Sequence, residues 1–413
     1  MPEFAADFHI HSRFSRACSK DLCVRELAKW AKLKGIGVLG TGDFTHPLWL
    51  EELEAGLRPT GTGLFEADGA CFMLTSEVNT LFYKRGKAHQ IHHVLLAPSF
   101  EVVKRINREL EAFGSLSLDG RPTLQMDAWR LVEIVIGVDP RCMVIPAHAW
   151  TPHFALFGSN SGFDSVEECF EHQAKNIFAL ETGLSSDPAM NWRLSALDRY
   201  TLISNSDSHS ARRIGREANV FNCERTYDEI IRTLQTKDRT KFLYTVEFFP
   251  EEGKYHLDGH RNCRVRLTPA ETKHANFRCP GCGKRVTVGV MHRIDTLADR
   301  PEGQQPANAI PFKHLVPLEE IIADAIGIGV GSQAVEREYM NLVTRCGTEF
   351  DVLLRASEDE LRRVAPAKVA EGIVRVRNGQ VHIEPGYDGE YGKVRMFATE
   401  EPPAATEQQM TLF

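Results

Sequence analysis

Residues 4–11 read Phe-Ala-Ala-Asp-Phe-His-Ile-His, a short β-type run that ends on two histidines one residue apart. Successive side chains of a strand point to opposite faces, so His9 and His11 share a face. One His-x-His pair is weak evidence of a metal, but the pattern repeats along the chain. The run Ile36–Thr41 is followed by Asp43 and His46, and Cys71–Glu77 ends in Glu77. Ile91–Ala97 opens with His92 and His93, Met143–Ala147 leads to His148, and Thr201–Ser204 leads to Asp207-Ser208-His209. Taken singly, each is more often a core histidine or a surface loop residue. Six strand ends all carrying ligand types is a poor coincidence, and an α/β barrel collects its reactive side chains at strand ends.

Between the strands lie helical patterns: Val24–Leu33, a helix opening at Pro47, Phe100–Phe113, Asp127–Ile136 and Pro188–Asp198. This alternation to about residue 248 predicts one α/β domain with a largely parallel sheet. The composition of the 413 residues, 42% apolar and 25% charged, is that of a globular protein. No apolar run approaches the ~18–20 residues of a membrane span. Met1–Phe8 lacks the features of a signal peptide, so a cytoplasmic protein is expected, without membrane contact. Its ten cysteines are then read as reduced thiols or metal ligands.

Imidazoles mixed with carboxylates suit Zn, Mn or Fe better than an all-oxygen cage for Mg or Ca. Some nine ligand-type residues exceed the roughly four to six that one ion takes, which implies two or three divalent metals, with Mg an admissible activator. Clusters of this kind serve phosphoester hydrolysis, activating water and clamping phosphate oxygens. The order His-x-His, Asp/His, Glu, His, His, Asp-x-His resembles the polymerase-and-histidinol-phosphatase (PHP) domain. That resemblance implies a distorted (β/α)7 barrel with a trinuclear site held by His9, His11, Asp43, His46, Glu77, His92, His148, Asp207 and His209. The adjacent Asp-His usual in the family is spread here over Asp43-Phe44-Thr45-His46, and His92 is favoured over His93.

A second constellation follows a change of texture near Pro250. His260-Arg-Asn-Cys263 and Cys279-Pro-Gly-Cys282 are two ligand pairs with two-residue spacers, the pattern of a structural zinc knuckle. His256, His274 and His292 compete with His260 for the fourth position. Overall charge is −7, yet His260–Arg300 carries nine Lys/Arg against three acids, a local +6. Such a module beside a phosphoesterase centre favours phosphate-backbone contact.

The combination of Asp258-Gly-His-Arg261, Cys-Pro-Gly-Cys-Gly283, Gly289-Val-Met-His-Arg293 and Pro385-Gly-Tyr-Asp-Gly-Glu-Tyr-Gly392 resembles the endonuclease Q family from Phe8 to Phe397. This implies a DNA repair endonuclease cutting 5′ to deaminated bases (uracil, hypoxanthine, xanthine) or abasic sites, with Asp207, His9 and His11 at its catalytic centre. A small-molecule phosphoesterase and a 3′–5′ proofreading exonuclease use the same metals. The expected parts are a PHP domain over 1–250, a zinc-ribbon module and linker over 251–310, a mixed helical C-terminal domain for DNA or lesion recognition over 311–398, and a tail over 399–413. Short β-like pieces are expected at Ile373–Val376 and Val381–Ile383. The tail ends Gln409-Met-Thr-Leu-Phe413; Gln409, Met410, Leu412 and Phe413 resemble a bacterial sliding-clamp-binding peptide, consistent with nucleoid association.

Overall fold

The computed structural model describes residues 3–397. The opening run forms the strand Phe4–Asp7, parallel to Ile36–Gly40 on one side and antiparallel to Ala218–Phe221 on the other. Helix Val24–Lys34 joins the parallel pair. It buries Val24, Leu27, Ala28 and Ala31, and ends at Gly35, whose φ of 86° a Cβ would disfavour. Beyond Ile36–Gly40 lies Ala70–Lys84, which turns back into Lys87–Ala97, and that strand pairs with Met143–Pro146. On the far side the sheet runs through Phe242–Glu247 to Phe312–His314.

The largely parallel sheet expected from the alternation is not what forms, and among the described residues no closed barrel is found where the resemblance implied a distorted (β/α)7 one. Among the described residues the central sheet is mixed, has eleven strands and is open, while Ala179–Glu181 and Thr201–Ile203 pair in a sheet of their own. The seam explains the difference. Where Thr201–Ile203 nears the first strand, side-chain amides stand in for a ladder: Phe8 N–H donates to Asn205 Oδ1 (2.8 Å) and Ser204 N–H to Asn219 Oδ1 (3.0 Å). Asn219 Nδ2 donates back to Ser204 O (2.8 Å). Buried main-chain groups are thus satisfied without continuous strand pairing. A lone bridge between Ile10 and Ser208 then brings the loop carrying Asp207 against His9 and His11.

Residues 251–310 contain a hairpin, Asp258–His260 with Val265–Leu267, and two short helices, Pro269–His274 and Val290–Leu297. Three of the nine basic groups are already engaged: Arg293 pairs with Asp164, Arg300 with Asp198, and Lys273 with Asp295. The C-terminal part holds helices Leu318–Ile326, Gln333–Cys346, Glu358–Val364 and Ala367–Arg377. Ile373–Val376 therefore belongs to a helix and not to a β-like piece. Ile373 and Val376 are buried and their helix packs on Leu318–Ile326, so burial outweighs β-branched propensity. A final hairpin, His382–Glu384 with Lys393–Arg395, carries the chain back to the module, where Leu257 N–H donates to Gly386 O (3.0 Å). No described helix is long and apolar enough to cross a membrane. Gln409, Met410, Leu412 and Phe413 lie outside the described residues.

Candidate metal centre

Two ligand groups share one carboxylate. His9, His11, Glu77 and Asp207 offer atoms all within 4.8 Å of one another, and so do Glu77, His92 and His148. In the first, His9 Nε2 lies 3.5 Å from Glu77 Oε2 and 3.6 Å from Asp207 Oδ1. His11 Nε2 lies 3.3 Å and 3.1 Å from the same two oxygens. Ligand bonds of 2.0–2.1 Å in a tetrahedron imply edges of about 3.3 Å, which these separations match.

The outer hydrogen bonds suit a ligand role. A carboxylate only accepts, so the imidazole nitrogen that faces Glu181 or Asp43 carries a proton, and an ion would take the opposite nitrogen. His9 Nδ1–H donates to Glu181 (3.0 Å) and His11 Nδ1–H to Asp43 Oδ1 (3.0 Å). His148 Nδ1–H donates to Thr151 Oγ1 (3.1 Å), whose own hydroxyl is turned to His148 O (2.9 Å). All three rings thereby turn Nε2 inward, and His9 Nε2 is buried with no hydrogen-bond partner. Against their burial, the facing carboxylates hold these imidazoles above the ordinary range, keeping a proton that a cation would replace. His92 Nδ1 lies 2.6 Å from Glu77 Oε1, and the His92 ring stacks on Phe154 with centroids 5.1 Å apart. Strand alternation turns His93 the other way, against Thr80 Oγ1 (2.9 Å) and Phe170.

Electrostatics follow burial and charge. Burial alone would raise the Glu77 carboxyl, but His92, His9 and Arg121 outweigh it and hold it well below the usual range. Asp207 is likewise held low against its burial, by His11 and His9. Burial brings His92 down to about 4 despite Glu77. Asp43, His148 and Asp207 adopt positive φ (48°, 30° and 45°), sparsely populated backbone of the kind held at functional sites.

Three expected ligands stand outside both groups. Asp43 supports His11, and its Oδ2 is filled by Ser12 N–H (2.6 Å), Ser12 Oγ–H (2.7 Å) and Ser15 Oγ–H (2.8 Å). His46 precedes helix Pro47–Gly56 and stacks on Phe14, centroids 4.4 Å apart. His209 lies 4.6 Å from the His11 ring, its Nδ1–H donating to Asp207 O (2.9 Å). Two residues escaped the sequence reading. Glu181, which fixes His9, ends the run Ile177–Glu181 and carried the same strand-end signal as Glu77. Arg121, 3.2 Å from Glu77 Oε2, sits in a loop without any pattern.

The groups open into a cavity of about 890 Å³. Its lining includes His92, His148, Asp207 and Arg121, together with Tyr255, His256 and Val290 of the 251–310 segment and Tyr391. Of the two tyrosines in the Pro385–Gly392 motif, Tyr391 lines the cavity, while Tyr387 packs against Gly259, where a Cβ would collide with its ring. In the module, His260, Cys263, Cys279 and Cys282 bring ligand atoms within 4.8 Å of one another. His292 instead donates to Asp258 Oδ2 (2.6 Å), and His256 is buried at the cavity.

The MJ0043 C-terminal domain family matches residues 317–380. YqxK of Bacillus subtilis is 30% identical over 415 residues, covering 96% of this chain and 100% of that protein. MJ0043 of Methanocaldococcus jannaschii is 33% identical over 255 residues, 60% of this chain, and the chain spans only 31% of that protein's length. Among solved structures, the lesion-specific endonuclease PfuEndoQ from Pyrococcus furiosus matches with a TM-score of 0.86 at 33% identity over 95% of both chains. An endonuclease Q complex with a 27-mer duplex bearing an abasic lesion at its active site matches with a TM-score of 0.84 at 33% identity, over 95% of this chain and 96% of that one. With likeness over nearly its whole length and a ligand set suited to divalent metal, the chain belongs to the endonuclease Q family and is a metal-dependent endonuclease.

Proposed function

We propose that this endonuclease acts in DNA repair, hydrolysing the phosphodiester bond 5′ to a deaminated base or an abasic site and leaving a 3′-hydroxyl and a 5′-phosphate. The carrying observation is the shared cavity: the candidate ligands His92, His148, Asp207 and His209, with Arg121, Tyr255, His256 and Val290 of the 251–310 segment, and Tyr391, face one space. The duplex-bound relative, alike over the same length, supports DNA as the occupant. When bound, two or three divalent ions would supply an activated water and a clamp for phosphate oxygens. His9, His11, Glu77 and Asp207 would hold one ion and Glu77, His92 and His148 a second, with His46, Asp43 and His209 the residues nearest a third. Glu181 and Asp43 keep the imidazoles in the ligating tautomer, and Arg121 adds a fixed positive charge for the phosphate. His260, Cys263, Cys279 and Cys282 would hold a structural zinc.

In this reading residues 1–250 are a PHP-type domain, 251–310 the zinc module and 311–398 a recognition domain, acting on the cytoplasmic chromosome. The test is nicking of end-blocked duplexes with one internal uracil, hypoxanthine or abasic site, in Mn²⁺ or Mg²⁺, beside an undamaged control. Lesion-dependent internal nicks are expected. Degradation only from free 3′ ends, or hydrolysis only of small phosphomonoesters, overturns it in favour of the exonuclease or the small-molecule enzyme. For the tail, removal of Gln409–Phe413 is expected to abolish co-elution with a bacterial sliding clamp; retained co-elution refutes that assignment.

A further inference from the structure

Asn79 stands one same-face step, about 7 Å, along its strand from the shared ligand Glu77. It lies directly across from His92 in the neighbouring strand. It lines the cavity and is only 6% exposed. Its amide is oriented: Nδ2 donates to Thr123 Oγ1 (3.1 Å), and its main-chain N–H is bound to Pro122 O (2.9 Å). The remaining atom, Oδ1, is buried and has no partner among the described residues. A buried acceptor without a donor is costly, and this one belongs to a side chain in the wall of the cavity. Beside it, Phe154 lies on the His92 ring, 40% exposed and held at a φ of 61°, an aromatic wall in a strained backbone.

Resting on the function proposed above, we infer that Asn79 reads the flipped lesion base, its Oδ1 accepting a ring N–H. Deamination exchanges the exocyclic amine for a carbonyl and leaves a proton on the adjacent ring nitrogen. Uracil thus gains N3–H and hypoxanthine gains N1–H, while xanthine keeps the N1–H that guanine already has. Cytosine N3 and adenine N1 are lone pairs, which would face the Oδ1 lone pairs and be repelled. Thymine and guanine carry the same N–H but sit in intact base pairs, whose unpairing cost keeps them stacked; a deaminated base, being mispaired, is cheaper to extrude. An abasic site has no base to read and makes no use of Asn79.

The abasic substrate is therefore the internal reference. In Asn79→Ala and Asn79→Leu the uracil-to-abasic ratio of nicking rates is expected to fall by about 30-fold, the effect of one unmatched buried hydrogen bond. The hypoxanthine-to-abasic ratio should follow it. A ratio within about threefold of wild type, whatever the absolute rates, overturns the inference; a water as the partner of Oδ1, or a purely architectural role beside Glu77, gives that result. Should either variant nick too slowly, the same ratio is read from dissociation constants in an Asp207→Asn background. Wild-type protein that nicks no lesion overturns the proposed function and this inference together, whereas a normal wild type with an unchanged ratio overturns only the role of Asn79.

Discussion

The two ligand clusters of this chain are built on opposite plans. The His/carboxylate groups draw six residues from elements scattered between His9 and Asp207, and most are buried. His9, His11, His148 and Asp207 lie just beyond strands, while Glu77 and His92 lie inside the long hairpin of Ala70–Lys84 with Lys87–Ala97. Their geometry is fixed by the protein, with Glu181, Asp43 and Thr151 holding the outer imidazole nitrogens. The Cys/His cluster takes four residues from two turns, with Cys282 exposed and only Cys279 buried. Its thiols are poised by neighbours: Cys263 is pushed up to about 11 by Cys282, while amides of Gly281 and Cys282 overcome burial and bring Cys279 down to about 7. The first cluster is preorganised by the core, and the second needs its ion to hold it together.

The largest effect that could break this contrast comes from Asp207. Its Oδ1 faces both His9 and His11 Nε2, and its side chain is the exposed one of the first group. Asp207→Asn keeps the shape and removes the charge, so nicking should fall by about 1000-fold, equivalent to ~4 kcal/mol in the barrier. Duplex affinity, measured by fluorescence anisotropy, should hold. Full activity in this variant would show that the buried cluster is not the reaction centre.

A paired measurement sharpens the comparison at the next level. Glu181→Gln keeps a hydrogen-bond acceptor but no longer compels His9 Nδ1 to carry the proton. Loss of such a supporting partner typically costs 10–100-fold in metal affinity or activity, and a result near that range is expected from metal titration of nicking. Cys279→Ser should instead lower the metal content by one equivalent and loosen the module, visible as accelerated amide exchange over residues 258–297, with the His/carboxylate groups still loading metal. If both variants lose the same metal with the same spectrum of effects, the two clusters are not independent.

Much of the first cluster was legible because short β-type runs lead to it, although Glu77 and His92 fall inside strands longer than those runs. Alternation says only that His92 and His93 face opposite ways, and the family resemblance chose His92. The same reading of runs pointed to Glu181, since Ile177–Glu181 already read as a strand; what hid it was the search for ligands, not for the groups that orient them. Arg121 and the free Oδ1 of Asn79 were not legible. Arg121 arrives from an unpatterned loop, and Asn79 matters through a cross-strand register that only pairing reveals. Barrel closure failed for a similar reason: strand alternation says nothing about Asn205 and Asn219 taking over main-chain bonds at the seam. In the C-terminal part, β-branched Ile373, Val374 and Val376 suggested a strand because local propensity is weak against the burial that a neighbouring helix offers.

The smallest predicted effect lies where the two regions meet. In the buried cluster the carboxylates of Glu77 and Asp207 are held low by histidines, so charge there is balanced. At the seam it is not. Burial, together with the charges of Glu320 and Glu251, raises the Glu252 carboxyl from 4.5 to about 8, despite Arg213 and Arg216. The folded protein therefore holds this proton where the unfolded chain releases it. The resulting stabilisation is complete below about pH 4.5 and is lost as the pH rises towards 8. Glu252→Gln cannot ionise, so it should melt higher than wild type at pH 8.5 by about 2–4 °C and show no such gain at pH 4.5. Gly392 N–H donates to Glu252 O (3.0 Å), next to Tyr391, which lines the cavity together with Gly253, Lys254 and Tyr255, so a pH-dependent loosening here would reach that part of the cavity wall. An equal shift in melting temperature at both pH values would mean that Glu252 is ionised throughout, and that the imbalance of charge does not lie at the seam.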